Sequence, residues 1–281
     1  MSDATVLPPG GKWADLALRS ASALVLMPAA IYCVWQGGIW FQIFLGVLAV
    51  LMAHEWVAIV HGGNMRSLAL HVLAGLCGVF VTSAQGLDAA SAAILVVWLC
   101  SVLQWVMNAG TSSIWSLFGV FYIGLPMVAF VLLREDGVLG LWAVLWCFMI
   151  VWVADICAYF AGRTIGGPKL APRLSPKKTW AGLVGAMAGA ALASIIFAWA
   201  LGLNISALAL LACILTLVEQ AGDILESALK RRYGVKDSGN FIPGHGGVLD
   251  RVDGLIAVVF AAAIIGFGHQ AGNAAPGLLH W

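Results

Sequence analysis

Apolar residues occupy this chain in long blocks separated by short polar interruptions. Crossing the hydrocarbon of a bilayer takes about 20 apolar residues in a helix, whereas a membrane strand leaves short alternating segments, which are absent here. The blocks at 18–35, 39–60, 68–84, 89–107, 114–133, 139–160, 180–201, 205–226 and 252–269 therefore predict about nine transmembrane helices. The expected fold class is all-α, a polytopic integral membrane helical bundle. Gln36-Gly37-Gly38 separates the first two blocks so tightly that they should form a helical hairpin, and the other early connections are short and nearly neutral. This divides the chain into a flexible arm at 1–17, marked by Pro8, Pro9, Gly10 and Gly11, and an N-terminal transmembrane scaffold at 18–138. A C-terminal transmembrane catalytic region at 139–281 follows, and two polar loops, 161–179 and 227–251, interrupt it.

Composition supports the membrane reading. Hydrophobic residues make up 62% of the 281, against roughly 45–50% in a soluble domain. The first block follows Asp3 and Asp15 and lacks a clear small-x-small cleavage site, so it reads as a retained span rather than a signal peptide. Cys33, Cys77, Cys100, Cys147, Cys157 and Cys213 all lie in apolar segments without CxxC spacing, which points to packed free thiols rather than a disulfide framework or thiolate metal site.

The net charge of +1 conceals an asymmetry: ten of the fourteen Lys and Arg lie between Arg163 and Arg251. With a cytoplasmic N-terminus, those ten share one side with Lys12, Arg19 and Arg66, and the other side keeps only Arg134. That partition follows the positive-inside rule and places both polar loops in the cytoplasm, beneath the cell (inner) membrane, where nucleotides are.

Within the apolar blocks, His54 and Glu55 stand out near the end of the second. An ionisable residue inside the membrane is costly and raises a functional hypothesis, but snorkelling to the headgroups is the plainer reading of both. His61 and His71 read as interfacial or packed. Gly185 and Gly189 form a GxxxG pair whose preferred reading is close helix packing.

The first polar loop carries Arg163, Lys169, Arg173, Lys177 and Lys178 among Pro168, Pro172 and Pro176, with Gly166 and Gly167 allowing tight turns. Just before it, Asp155 and Tyr159 share a helical face. Ser175, Thr179 and the backbone amides ahead of the seventh helix are candidate donors to phosphate oxygens. A basic loop resting on anionic headgroups is the competing explanation.

The second loop is denser in chemistry. Glu219, Asp223, Glu226 and Lys230 are spaced four, three and four residues apart, on one helical face. Asp250 and Asp253 share another face just before the ninth helix and are placed to meet Asp223 across the bundle. Carboxylates with little imidazole and no thiolate suit Mg²⁺ better than Zn²⁺. Lys230, Arg231, Arg232, Lys236 and Arg251 surround these acids, with Pro243-Gly244-His245-Gly246-Gly247 between them. A divalent ion, a basic cluster and glycines together are the means of stabilising phosphoryl transfer by charge and positioning.

The run Ser227-x-Leu229-Lys230-Arg231, Lys236-Asp237-x-Gly239, Ile242-Pro243-x-His245-Gly246-Gly247-Val248 and Asp250-Arg251-Val252-Asp253 resembles the signature of phosphatidate cytidylyltransferases. Asp155, Ala158, Tyr159 and Phe160, and Ser175-Pro176-Lys177-Lys178-Thr179-Trp180, resemble the same family. The likeness is strong over roughly residues 150–260 and rests on hydropathy alone before that. Ala181 departs from the family, many of whose members carry an acid there.

The resemblance implies that CTP and phosphatidic acid give CDP-diacylglycerol and pyrophosphate. On that reading Asp223 and Asp250 hold the metal, with Asp253 as a further ligand or partner, and a second cation beside Mg²⁺ is left open. Lys230, Arg231, Lys236 and Arg251 hold phosphates, and His245 orients or protonates the departing pyrophosphate. Ser175, Lys177, Lys178 and Thr179 close the anion site from the first loop, and Asp155, Tyr159, Ser227, Asp237, Gly246 and Gly247 complete the substrate contacts. CTP, phosphatidic acid and membrane lipids are the expected partners, nucleic acid is not among them, and a homodimer through the glycine-bearing spans is left open. A transporter would call for inverted repeats, which are not found. A CDP-alcohol phosphotransferase would call for DGxxAR…GxxxDxxxD, which is missing.

Overall fold

The computed structural model describes residues 12–108, 113–241 and 246–281. They fold as a helical bundle: α1 (Lys12–Gln36), α2 (Gly38–His61), α3 (Met65–Leu76), α4 (Thr82–Met107), α5 (Trp115–Glu135), α6 (Leu139–Thr164), α7 (Trp180–Leu201), α8 (Ile205–Arg232), α9 (Leu249–His269) and α10 (Ala274–Leu279). Seven helices among the described residues are long and apolar enough to cross a membrane. One of these seven, the run Met65–Met107, holds two of the expected blocks: the chain reverses at Gly86 (φ 83°, ψ −174°), inside the connection expected at 85–88, so that Gln104 Nε2 donates to Ser67 Oγ at 3.1 Å. A π-helical turn at Cys77–Val81 lies within the first of the two. The first expected block lies in α1, which is apolar over Leu24–Gln36. The helix itself begins at Lys12, inside the segment expected to be an arm.

The expected hairpin of α1 and α2 is present and is locked from a distance. Gly37 turns with φ 64°, and the Arg134 guanidinium lies over it, donating from Nε to the Val34 carbonyl (2.7 Å) and from the terminal nitrogen to the Trp35 carbonyl (3.2 Å). A cation at the C-terminal carbonyls of α1 also meets the negative end of the helix dipole.

The core lies between the helices, with Trp56, Trp146, Phe130, Met52 and Met127 among its largest buried side chains. Residues on α5 from Met127 to Leu133 are all buried, making it the central helix. Large apolar residues face outward instead, including Leu95, Val96, Leu99 and Leu103 on α4 and Leu192, Ile196 and Trp199 on α7. Such an outer surface suits lipid tails. Because lipid offers no hydrogen bonds, helices that keep their backbone bonds internal are the form the segments take.

Two close helix contacts set the frame of the site. Along α6 and α7, a Cβ on Gly185 would lie 2.3 Å from Ala161 Cβ and one on Gly189 2.3 Å from Cys157 Sγ, so the GxxxG pair packs inside this chain. Along α8 and α9, a Cβ on Gly222 would meet the Asp253 carbonyl at 2.8 Å and one on Gly254 the Glu219 Cγ at 2.9 Å. All six cysteines are free thiols, as their spacing implied.

The loop between α6 and α7, where the prolines break the helix, has regular structure of its own. It forms an antiparallel hairpin of β1 (Lys169–Ala171) and β2 (Ser175–Thr179), with Lys169 opposite Thr179 and Ala171 opposite Ser175. Pro176 is tolerated because a two-stranded sheet is all edge.

Candidate active site

The site begins with α7. Thr179 is its N-cap, with Oγ1 accepting from the Gly182 amide at 3.0 Å. Capping fixes the end of β2, so Lys177 and Lys178 project beside the last turns of α6. There a cavity of about 320 Å³ is lined by Asp155, Tyr159, Lys177, Lys178, Thr179 and Gln220 among others. Tyr159 is largely exposed, and its hydroxyl accepts from Arg163 at 2.5 Å. Ser175 lies at the far end of β2, opposite Ala171, and does not line the cavity.

Lys178 ties this loop to α8. Its Nζ lies 2.7 Å from Asp223 Oδ2 and donates to Gln220 Oε1 at 2.7 Å. One turn further along α8, Ser227 donates to Asp223 Oδ1 at 3.4 Å. Beyond it Lys230 Nζ sits 2.5 Å from Glu226 Oε2 and 2.6 Å from Asp250 Oδ1. The face predicted for Glu219, Asp223, Glu226 and Lys230 thus exists, but Asp250 reaches it through Lys230.

Asp250 is held from three directions. Besides Lys230, its carboxylate accepts from the amides of Ser238 (3.0 Å) and Gly247 (2.9 Å). The Gly247 contact is half of a capping box, in which an acid early in a helix reaches back to an amide ahead of it. Gly246 turns with φ 87°, and a Cβ there would stand 3.0 Å from Asp250 Oδ2. A Cβ on Gly247 would fall 2.0 Å from Ser238 Oγ, so both glycines are required by close approach.

Glu55 belongs to this site, although sequence reasoning favoured headgroup contact. It is 1% exposed, and its carboxylate accepts from the Val248 amide (2.8 Å), the Leu249 amide (2.7 Å) and the Ser238 hydroxyl (3.0 Å). Its neighbour His54 is exposed, with its ring 5.1 Å edge-on from that of Phe241. Tyr122 on α5, in the expected scaffold, has a buried hydroxyl with no hydrogen-bond partner among the described residues.

The remaining predicted residues lie further out. Arg231 donates to the Val235 carbonyl at 3.2 Å and closes the end of α8. Lys236, Asp237 and Arg251 are exposed, and none of them lines the cavity. His245 lies outside the described residues. Asp253 is partly buried in the first turns of α9, where its backbone packs against Gly222.

The donor chemistry fits a hard cation. Glu219, Asp223, Glu226, Asp250 and Asp253 crowd α8 and the start of α9, and Glu226 Oε1 is buried with no hydrogen-bond partner among the described residues. All are oxygen donors, as such an ion prefers. Among the described residues, however, no three Asp, Glu, His or Cys side chains are grouped closely enough to hold one, and Lys178 and Lys230 sit on Asp223 and Asp250 instead.

Comparison with known proteins decides the family. A sequence model described as the Cytidylyltransferase family matches residues 17–267. The chain belongs to that family. It is 39% identical over 261 residues to a phosphatidate cytidylyltransferase of Brucella suis biovar 1, covering 89% of this chain and 92% of the relative. A phosphatidate cytidylyltransferase of Rickettsia bellii is 34% identical over 201 residues, covering 68% of this chain and 87% of that protein. One from Haemophilus influenzae is 33% identical over 275 residues, covering 86% and 95%. The similarity therefore reaches well into the helices that sequence reading linked to the family by hydropathy alone, including α2 with Glu55.

Proposed function

We propose that this membrane protein transfers the cytidylyl group of CTP to phosphatidic acid, giving CDP-diacylglycerol and pyrophosphate. The observation that carries the reading is the joining of both polar loops at one acidic helix face, through Lys178 to Asp223 (2.7 Å) and Lys230 to Asp250 (2.6 Å). Relatives bearing the phosphatidate cytidylyltransferase name support it.

In the reaction an oxygen of the lipid phosphate bonds to the α-phosphorus of CTP, and the bond from that phosphorus to the β-phosphate oxygen breaks. Pyrophosphate leaves with the electron pair. The lipid phosphate is already anionic, so the main barrier is repulsion between polyanions rather than want of a base. Lys178 and Lys230, each already poised on a carboxylate, are placed to meet phosphate oxygens, and Lys177, Arg231, Lys236 and Arg251 extend the positive rim. Stabilising charge as it develops is the largest contribution an enzyme makes to such a transfer. Asp223, Asp250 and Asp253 would hold Mg²⁺, which when bound supplies neutralisation of the phosphate charge. His245 is assigned to the departing pyrophosphate.

The reading places the loops and N-terminus in the cytoplasm, beneath the inner membrane, on the strength of the thirteen-to-one split of Lys and Arg between the two sides. The test is CTP-dependent formation of CDP-diacylglycerol and pyrophosphate by purified protein with phosphatidic acid and Mg²⁺, alongside Asp250→Asn. Product from the wild type and a loss of at least about 100-fold in the variant support the reaction and the role of Asp250. No product from folded wild-type protein overturns the reading.

A further inference from the structure

The first turn of α9 presents backbone amides with no partner inside the helix, as every helix start does. From Gly247 to Asp250, across the entry to this turn, each amide has a side-chain acceptor, while the Arg251 amide donates to the Val248 carbonyl at 3.0 Å. Gly247 N donates to Asp250 Oδ2 at 2.9 Å, Val248 N to Glu55 Oε1 at 2.8 Å, Leu249 N to Glu55 Oε2 at 2.7 Å, and Asp250 N to Ser238 Oγ at 3.3 Å. Two of the four acceptors come from Glu55, about 193 residues away in sequence. A third is Ser238, whose hydroxyl donates to Glu55 at 3.0 Å and whose amide donates to Asp250 at 3.0 Å.

Every partner of Glu55 is a donor, which complements the acceptor-only carboxylate. The positive end of the α9 dipole faces this buried acid and compensates its charge. The glycines fit the same arrangement: a Cβ on Gly239 would lie 2.6 Å from Glu55 Oε1, and one on Gly247 2.7 Å from Glu55 Oε2. The backbone on both sides of the 240–246 segment is therefore pressed against one carboxylate from α2.

We infer that Glu55 is a positioning residue for the transfer reaction: it sets the start of α9 and the Ser238 turn, and through them the orientation of Asp250 toward Lys230 and the phosphates. The inference rests on the proposed function for its kinetic consequence, and on hydrogen bonds alone for its structural one. Placing a reacting group wrongly by about 1 Å can cost on the order of 100-fold in rate, so a residue that touches no substrate can still govern turnover. Glu55→Gln preserves shape but turns an amide donor toward amides or a hydroxyl that also donate.

The experiment compares wild type, Glu55→Gln, Glu55→Asp and Ser238→Ala as full-length purified protein. Hydrogen exchange is read at residues 246–250, and kcat and KM are measured for CTP and for phosphatidic acid. Expected in Glu55→Gln are faster exchange at Val248 and Leu249 and a kcat lowered by about tenfold or more, with both KM values within about twofold. Ser238→Ala removes the link while keeping the acid and lowers kcat in the same direction; Glu55→Asp recovers part of the loss. A folded Glu55→Gln protein with wild-type exchange and kcat overturns the inference, as does a loss confined to thermal stability. If Glu55→Gln does not fold, Ser238→Ala with unchanged kcat and exchange overturns it. Wild-type protein without CTP-dependent activity would sink the proposed function and with it the kinetic role, while the exchange data still report whether Glu55 holds the turn.

Discussion

Lys178 Nζ lies 2.7 Å from Asp223 Oδ2, and this pair joins the hairpin loop to α8 across 45 positions of sequence. Its side chains are 17% and 31% exposed, so the pair is reachable from the cavity rather than sealed in the core. A partly exposed ion pair is worth up to about 1 kcal/mol, whereas removing one charge aimed at a transition state costs about 3 kcal/mol. Lys178→Ala should therefore leave the melting temperature nearly unchanged and lower kcat/KM by about 100-fold. Thermal denaturation and a cytidylyl-transfer assay on the same preparation check both halves, and a variant that is unstable yet fully active would contradict them.

Lys230 should behave differently because its environment is closed. Its side chain is 12% exposed and those of Glu226 and Asp250 are 1% and 7%. Breaking a buried pair by removing one partner costs about 3–5 kcal/mol, since the acid left behind is neither solvated nor compensated. Lys230→Met is expected to lose stability on that scale as well as activity. Adding Glu226→Gln in the same chain should restore part of the stability and none of the activity, measured by thermal denaturation and turnover in parallel.

The sequence made much of this visible and hid particular parts for physical reasons. Hydropathy located the helices, and the four-three-four spacing of Glu219, Asp223, Glu226 and Lys230 predicted a shared face that the Lys230 to Glu226 contact bears out. The break read at 85–88 is where the chain turns back, with φ 83° at Gly86 and the Gln104 amide reaching the Ser67 hydroxyl across the turn. The β1–β2 hairpin was obscured by three prolines, which argue against interior strands but not against a two-stranded ribbon. Glu55 gave one ambiguous cue, an acid near a helix end. Its partners are backbone amides far along the chain, and no residue pattern announces an amide as a ligand. Lys178 was legible as a cation but not as the partner of Asp223, since spacing rules hold within a helix and not between a loop and a helix.

Gly189 offers a test of the frame that holds the cavity. A Cβ there would stand 2.3 Å from Cys157 Sγ and 2.9 Å from Cys157 Cβ, so even alanine requires α6 and α7 to shift apart. Overpacking of this kind costs about 1–3 kcal/mol. Gly189→Ala should lower the melting temperature, and Gly189→Ala with Cys157→Ala should recover part of the loss by removing the sulfur that obstructs it. No recovery would mean that the backbone of α6, rather than the Cys157 side chain, limits the approach.

The assignment of Mg²⁺ to Asp223, Asp250 and Asp253 has a consequence that does not depend on turnover. A ligand that binds only the folded protein stabilises it by about 2.7 kcal/mol at 100 times its dissociation constant. Mg²⁺ should therefore raise the melting temperature of the wild-type protein in detergent, with no CTP or lipid present, and saturate as it does so. Asp223→Asn and Asp250→Asn should each weaken the effect, but from different starting points. Asp223 is 31% exposed and loses one pair with Lys178, whereas Asp250 also holds the Ser238 and Gly247 amides, so its substitution should lower the metal-free melting temperature more. A saturable shift that survives in both variants would place the ion elsewhere. The absence of any shift with Mg²⁺ alone, followed by a shift when CTP is added with it, would mean that the nucleotide phosphates complete the site and that the carboxylates hold the ion only in their company.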